Sequence, residues 1–248
     1  MVGSKRLRAS VLALVVTAIV GCGSGKQPAG EQPPGEQPPA TPAAAPDLPA
    51  APAGPLLLPT RVHLLQSDTV DALNATLTGD EVARIFEDVN QIWSPAEIVW
   101  DVTDIVREPA LAQARFAERA RQGQPSDMAF LQELIPLGQL SDGGWDVFIG
   151  RRIGGAPGVY FGAIPAVLTS EIGPDRRRMS ANMVRVLAHE LGHAVGLKHI
   201  RCPDGGNLMS PGCPPLDSGP ISAAQIDTAR RRAAARLDAS AEVESPEG

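Results

Sequence analysis

The 248-residue chain is short of positive charge, of cysteine, of histidine and of tyrosine, and each shortage narrows what it can do. Lys and Arg total 22 against 28 Asp and Glu. Three of the basic residues, Lys5, Arg6 and Arg8, crowd the N-terminus. Without them 19 basic side chains face 28 acidic ones, a net charge near −9. Nucleic acid is thereby excluded as a partner. The apolar run Val11 to Val20 is too short to span a bilayer, which takes about 20 residues. Of four histidines, three fall within eleven residues near the C-terminal third, so the acidic remainder has no second His/Cys cluster to hold another metal.

A basic start followed by a short apolar run reads as a secretory signal over residues 1–21. It ends in Ile19-Val20-Gly21-Cys22, which resembles a bacterial lipobox. That resemblance implies a lipidated Cys22 as the mature first residue and, with Gly23 rather than Asp next, an outer-membrane lipoprotein of the bacterial envelope. The alternative is a plain secreted protein with Cys22 incidental. Residues 22–59 are mostly Pro, Gly, Gln and Ala with almost no large apolar residues, and Gly-Glu-Gln-Pro-Pro occurs at Gly30 and again at Gly35. Such a segment cannot bury a core and reads as an extended tether; peptide recognition by its Pro-Pro pairs is the alternative. Residues 60–240 suit one domain with a single core, and 241–248 a disordered tail.

The chemistry is concentrated in His189-Glu190-Leu191-Gly192-His193-Ala194-Val195-Gly196-Leu197-Lys198-His199. On a helix, His189 and His193 lie one turn apart on one face and can aim at one metal. Catalytic zinc takes three protein ligands and leaves a fourth position for water, which makes His199 the third candidate. For His199 to reach back, the helix must end soon after His193, and Gly196 can take the left-handed conformation that ends it. Glu190, one residue along, is placed as a general base. A bare His-Glu-x-x-His also arises in solvated helices; the glycine, the third histidine and the downstream Met209 argue for a site. The fourth histidine, His63, reads as a partly buried strand residue rather than a ligand.

The motif resembles that of the metzincin clan of zinc endopeptidases, which combines this long zinc-binding pattern with a methionine-containing turn beneath the metal. The resemblance implies that His189, His193 and His199 are zinc ligands, Glu190 is the base and Met209 is the residue of the Met-turn. Read alone, Met209 is an ordinary core methionine. Ile200 follows the third histidine where several of the clan's families place a polar residue or proline, so no family within the clan is assigned. No tyrosine follows Met209, because the only one is Tyr160; the tyrosine of astacin-like members is not expected. No cysteine other than Cys22 precedes the domain to serve as an inhibitory ligand. Cys202 and Cys213 flank Met209 and, in an oxidising compartment, form the pair left for a disulfide; free thiols or additional zinc ligands are the alternatives.

Strands are expected at Arg61–Gln66, Ile98–Thr103, Trp145–Ile149 and Gly158–Leu168. The last carries Gly162 and Pro165, which suit an edge strand. Thr78-Gly79-Asp80-Glu81 is a capping box for a helix with Val82, Ile85, Phe86, Val89, Ile92 and Trp93 on one stripe, stopped at Pro95. Pro109–Leu137 reads as largely helical, with a break at Gly123–Pro125. The zinc helix begins near Ser180 with Val184, Leu187, Leu191 and Val195 inward. Ser222 and Gln225 open a last helix carrying Ile226, Ala229, Ala233 and Leu237, and its run Arg230–Arg232 reads as a solvated face or, alternatively, a membrane-facing one. By resemblance the fold is α+β and zincin-like: a twisted mixed sheet with an antiparallel edge strand that receives extended substrate.

The expected activity is zinc-dependent endopeptidase hydrolysis of a peptide or protein substrate, with Glu190 moving the proton of a zinc-activated water. The protein is expected as a monomer held to the membrane by its N-terminal lipid. The sequence does not speak to structural calcium. The alternatives are a catalytically silent zinc-binding lipoprotein, against which the retained Glu190 argues, and a zinc hydrolase of cell-wall material.

Overall fold

A computed structural model describes residues 49–124, 126–154, 157–162, 164–172, 180–201, 206–210 and 220–243, apart from the side chains of residues 180–182, 242 and 243. Cys22, Cys202 and Cys213 lie outside the described residues, as do the lipobox and most of the tether.

Five strands make one sheet: β1 Leu56–Gln66, β2 Ile98–Pro109, β3 Trp145–Gly150, β4 Gly158–Phe161 and β5 Ala166–Ser170, in the order β2-β1-β3-β5-β4. Every neighbouring pair is parallel except β4–β5, so the mixed sheet has an antiparallel edge. β1 begins at Leu56, inside the segment read as tether. Leu56 and Leu58 are buried while Leu57 and Pro59 are exposed, an alternation the proline-rich composition concealed. Pro59 is tolerated because β3 joins β1 only from Thr60 onward.

The expected single strand Gly158–Leu168 is instead a hairpin. Ile164 N–H bonds Phe161 O at 3.0 Å, and the chain reverses between Phe161 and Ala166. Gly162 and Pro165 therefore mark a turn, the commoner use of that pair. Only β4 is the edge; β5 is buried throughout. β2 runs on to Pro109 rather than ending at Thr103, leaving the next segment two short helices, α2 Gln113–Arg121 and α3 Met128–Gln132.

Helix α1, Gly79–Trp93, opens with the capping box: Thr78 accepts from Glu81 N–H, and the Glu81 carboxylate accepts from Thr78 N–H. Its stripe Val82, Phe86, Val89 and Trp93 is buried against one face of the sheet, together with α4 (Ser180–Ala194) and α5 (Ala223–Val243). The few aromatics are concentrated here: Trp93, Trp100 and Trp145 meet edge to face at 6.0 and 5.9 Å, a favoured geometry for ring quadrupoles. Phe116, Phe130, Phe148 and Phe161 form a second cluster on the opposite face under α2 and α3.

Two expectations about charged residues are corrected. His63 is wholly buried rather than partly: its ring stacks on Phe148 at 4.1 Å, Nδ1 lies 3.0 Å from Glu108 Oε1, and Nε2 lies 2.9 Å from Asp146 Oδ1. The polar ring is accepted in the core because strands on both sides supply an oxygen to each nitrogen. The run Arg230–Arg232 is not a plain solvated face. Arg230 donates to the carbonyls of Pro52, Gly54 and Ala96, and Arg232 lays its stem over Gly196. A long stem carries the charge to unpaired carbonyls at the sheet's end, which periodicity alone does not reveal.

Candidate metal centre

Helix α4 carries the first two histidines because its apolar stripe holds it rigidly on the sheet: Val184, Leu187, Leu191 and Val195 are all buried. It ends as a Schellman motif. Leu197 N–H bonds Gly192 O at 2.9 Å, Gly196 N–H bonds His193 O at 2.9 Å, and Gly196 has φ +85°, the left-handed value expected of it. The turn sends the chain back, and His199 Nε2 comes to 3.0 Å from both His189 Nε2 and His193 Nε2.

Nitrogens bound tetrahedrally to one zinc at about 2.0–2.1 Å would be separated by about 3.3 Å; the two separations to His199 are close to that, and all three ligand atoms lie within 4.8 Å of one another. The orientation of two of the rings is set from behind. His189 Nδ1 donates to Leu208 O at 2.7 Å and His193 Nδ1 to Leu197 O at 2.8 Å, which leaves each Nε2 lone pair facing the centre. Burial lowers the pKa of both, that of His189 to about 4, and so keeps the imidazoles in the neutral form that binds metal. Among the described residues this is the one group of His, Cys, Asp or Glu side chains arranged to hold a metal.

Glu190 does not join the ligand cluster. Its carboxyl is largely withdrawn from water, which raises its pKa to about 7, and its stem lies against β4, where a Cβ added at Gly158 would stand 2.9 Å from Glu190 Cγ. Met209 lies beneath the helix. Residues Asn207–Ser210 form a turn closed by Ser210 N–H to Asn207 O at 3.1 Å, and Met209 is fully buried. A Cβ on Gly192 would stand 2.5 Å from the Met209 sulfur, so the helix offers the thioether a bare backbone to pack on.

The organiser of this turn is Asn207, which sequence reasoning missed. Its Oδ1 accepts from Met209 N–H at 2.8 Å, and its Nδ2 donates to Pro220 O and to Gln225 Oε1 at the start of α5, each at 2.9 Å. The signal was an asparagine two residues before the methionine, a common start for a side-chain-capped turn. Ser222 and Gln225 make the expected reciprocal cap.

Fold and site together define a mixed α/β protein, with a five-stranded, mostly parallel sheet, whose three imidazoles can hold a metal ion. No protein-family model matches the chain, and no curated protein does. Among solved structures it is similar to the crystal structure of an archaemetzincin from Methanopyrus kandleri, at 18% identity over 75% of this chain and 96% of the other, with a TM-score of 0.40. It is also similar to a chain in the structure of a chaperone–substrate complex, at 13% identity over 75% of this chain, with a TM-score of 0.44; there it spans 35% of the other's length. Superposition at that level leaves the functional reading to the geometry of the site.

Proposed function

We propose that the chain is a zinc-dependent endopeptidase of the metzincin kind, carried on the bacterial envelope by a lipid on Cys22. The observation that supports it most is the pairing of two environments on one helix: three imidazole nitrogens turned toward one point, and beside them a desolvated carboxyl that is not a ligand. A site that holds metal only for structure closes its fourth position with a ligand and has no use for a base.

His189, His193 and His199 would hold the ion, with the Leu208 and Leu197 carbonyls fixing two of the rings. Zinc bound there supplies Lewis acidity, which acidifies water and polarises a carbonyl. Glu190 accepts the proton of the attacking water and delivers it to the leaving amine. A carboxyl with a pKa near 7 is suited to both halves of that transfer at neutral pH. An extended peptide would lie along β4, the sheet's antiparallel edge strand, by strand addition.

Glu190→Gln is nearly isosteric and removes only proton acceptance. The variant should keep one zinc per chain and lose about 10² to 10⁴ in rate on an unstructured protein such as casein. Equal rates would remove Glu190 from catalysis; a wild type that cleaves no peptide would favour a binding lipoprotein, and cleavage confined to cell-wall fragments would redirect the substrate class.

Cys22→Ser should move the protein from the membrane to the soluble fraction, and retention in membranes would refute lipid anchoring. We also propose a Cys202–Cys213 disulfide; the residues just before Cys202 are drawn to the Met-turn by Ile200 N–H to Met209 O at 3.1 Å and Ser210 Oγ to Arg201 O at 3.3 Å. Intact mass before and after reduction and alkylation decides it.

A further inference from the structure

The turn under the metal centre is gripped through three successive carbonyls. Asn207 O accepts from the Arg185 guanidinium at 3.2 Å, Leu208 O from His189 Nδ1 at 2.7 Å, and Met209 O from Ile200 N–H at 3.1 Å. The first two donors are four residues apart on α4, so they stand one turn apart on the same face of that helix. The third belongs to the residue immediately after His199. Two of the three imidazoles are thus tied to neighbouring carbonyls of one short turn, and Arg185 holds the carbonyl beside theirs.

Nothing in the ligand set calls for an arginine at that position. A permanent positive charge one helical turn from a metal ligand disfavours a cation, so the guanidinium is costly there unless it does something the site needs. Its bond to Asn207 O supplies that use. Consecutive peptide planes are joined by only two soft dihedrals, and a fixed Asn207 carbonyl therefore restricts the swing of the Leu208 carbonyl that His189 must meet. The Asn207 side chain ties the same turn to the start of α5, through Pro220 O and Gln225 Oε1. Arg185 ties it to the helix that carries the ligands.

We infer that Arg185 is a positioning residue for the metal centre: by holding the Asn207 carbonyl it keeps the Leu208 carbonyl beneath His189 Nδ1 and the Met209 carbonyl beside the His199 segment, so that the first and third ligands keep their register. The inference rests on the metal-centre part of the reading above and not on peptide hydrolysis.

Two measurements on the full chain test it, using Arg185→Met, which keeps an unbranched stem and removes the donors. In competition with a chelating dye the variant should bind zinc about tenfold more weakly, since the outer partners of metal ligands typically carry about 10- to 100-fold in affinity and Arg185 acts through one further peptide unit. The sign discriminates, because removing a positive charge would by itself tighten the binding of a cation. Equal or tighter binding overturns the inference. In metal-free protein with ¹⁵N-labelled histidines, at about pH 8 and so above the ordinary imidazole range, His189 and His193 of the wild type should both carry the proton on Nδ1. Arg185→Met should move His189 toward a mixture of tautomers and leave His193, held by Leu197 O, as it was. A general loosening of the fold would move both rings, and that result, like an unmoved His189, overturns the inference. If Arg185→Met does not fold, Arg185→Gln, whose shorter side chain cannot span to Asn207 O, is read in the same two ways. If the wild type binds no zinc, the metal reading falls, while the contrast between the two rings still decides the role of Arg185.

Discussion

At the scale of single residues, His63 shows how much a core position depends on neighbours distant in sequence. Its two carboxylate partners, Glu108 and Asp146, come from the strands on either side of β1, and Asp146 also accepts from Ser141 N–H at 3.1 Å and from Ser141 Oγ at 2.9 Å. His63→Phe preserves a ring to stack on Phe148 and strips both nitrogens, leaving the buried Asp146 and the partly buried Glu108 carboxyls facing carbon. The expected cost is about 3 kcal/mol, measured by the denaturant midpoint at constant slope. A loss well under 1 kcal/mol would mean that water replaces the imidazole. The sequence contained a histidine between Val62 and Leu64 on a strand, which reads as an inward or outward position according to partners it does not name.

At the scale of elements, the C-terminal end of α4 does the most. The Schellman turn consumes the last carbonyls of the helix and reverses the chain within a few residues, which is the mechanical condition for His199 to meet His189 and His193. Gly196→Ala places a Cβ at φ +85° and 3.1 Å from Arg232 Cγ. The left-handed conformation alone costs a residue with a Cβ about 1–2 kcal/mol. Thermal unfolding should report at least that loss, and zinc affinity should fall with it because the turn aims the third ligand. Unaltered affinity would show that His199 reaches the centre independently of the turn. The hairpin of β4 and β5 is the complementary lesson: Gly162 and Pro165 were visible, but whether such residues bend one strand or separate two depends on which neighbouring strand is available to pair.

For the whole molecule, zinc should couple to stability, since the proposed ligands come from α4 and from the segment beyond its closing turn. Chelation should lower the melting temperature, and added zinc should restore it, with about 2.7 kcal/mol recovered at a hundredfold excess over Kd. His199→Ala should bind far less zinc and show no such response; undiminished zinc would remove His199 from the ligand set. Burial of the two neighbours His189 and Glu190 acts on acid stability in opposite senses. His189 has a folded-state pKa near 4 against an ordinary 6.5, so the stability from keeping it neutral is complete above pH 6.5 and is lost as pH falls from 6.5 toward 4. Glu190, raised to about 7 from 4.5, contributes stability that grows as pH falls through nearly the same window. In metal-free Glu190→Gln only the histidine contribution remains, and its melting temperature should fall in acid; a flat one across that window would contradict the burial of the imidazole.

The sequence by itself determined which three histidines come together, the amphipathic stripes of α1, α4 and α5, the two capping boxes and the break at Gly196, because each depends on residues within a turn or two of one another. Local spacing is enough when the partners are local. Only the tertiary structure decided where β1 begins, that Gly158 to Leu168 is two strands, that His63 sits between two carboxylates, that Arg230 gathers the carbonyls of Pro52, Gly54 and Ala96, and that the Glu190 stem lies against Gly158 of β4. Those contacts join segments tens of residues apart. No periodicity within one segment encodes its partner, which is selected only when the sheet closes and buried polar groups must find what satisfies them.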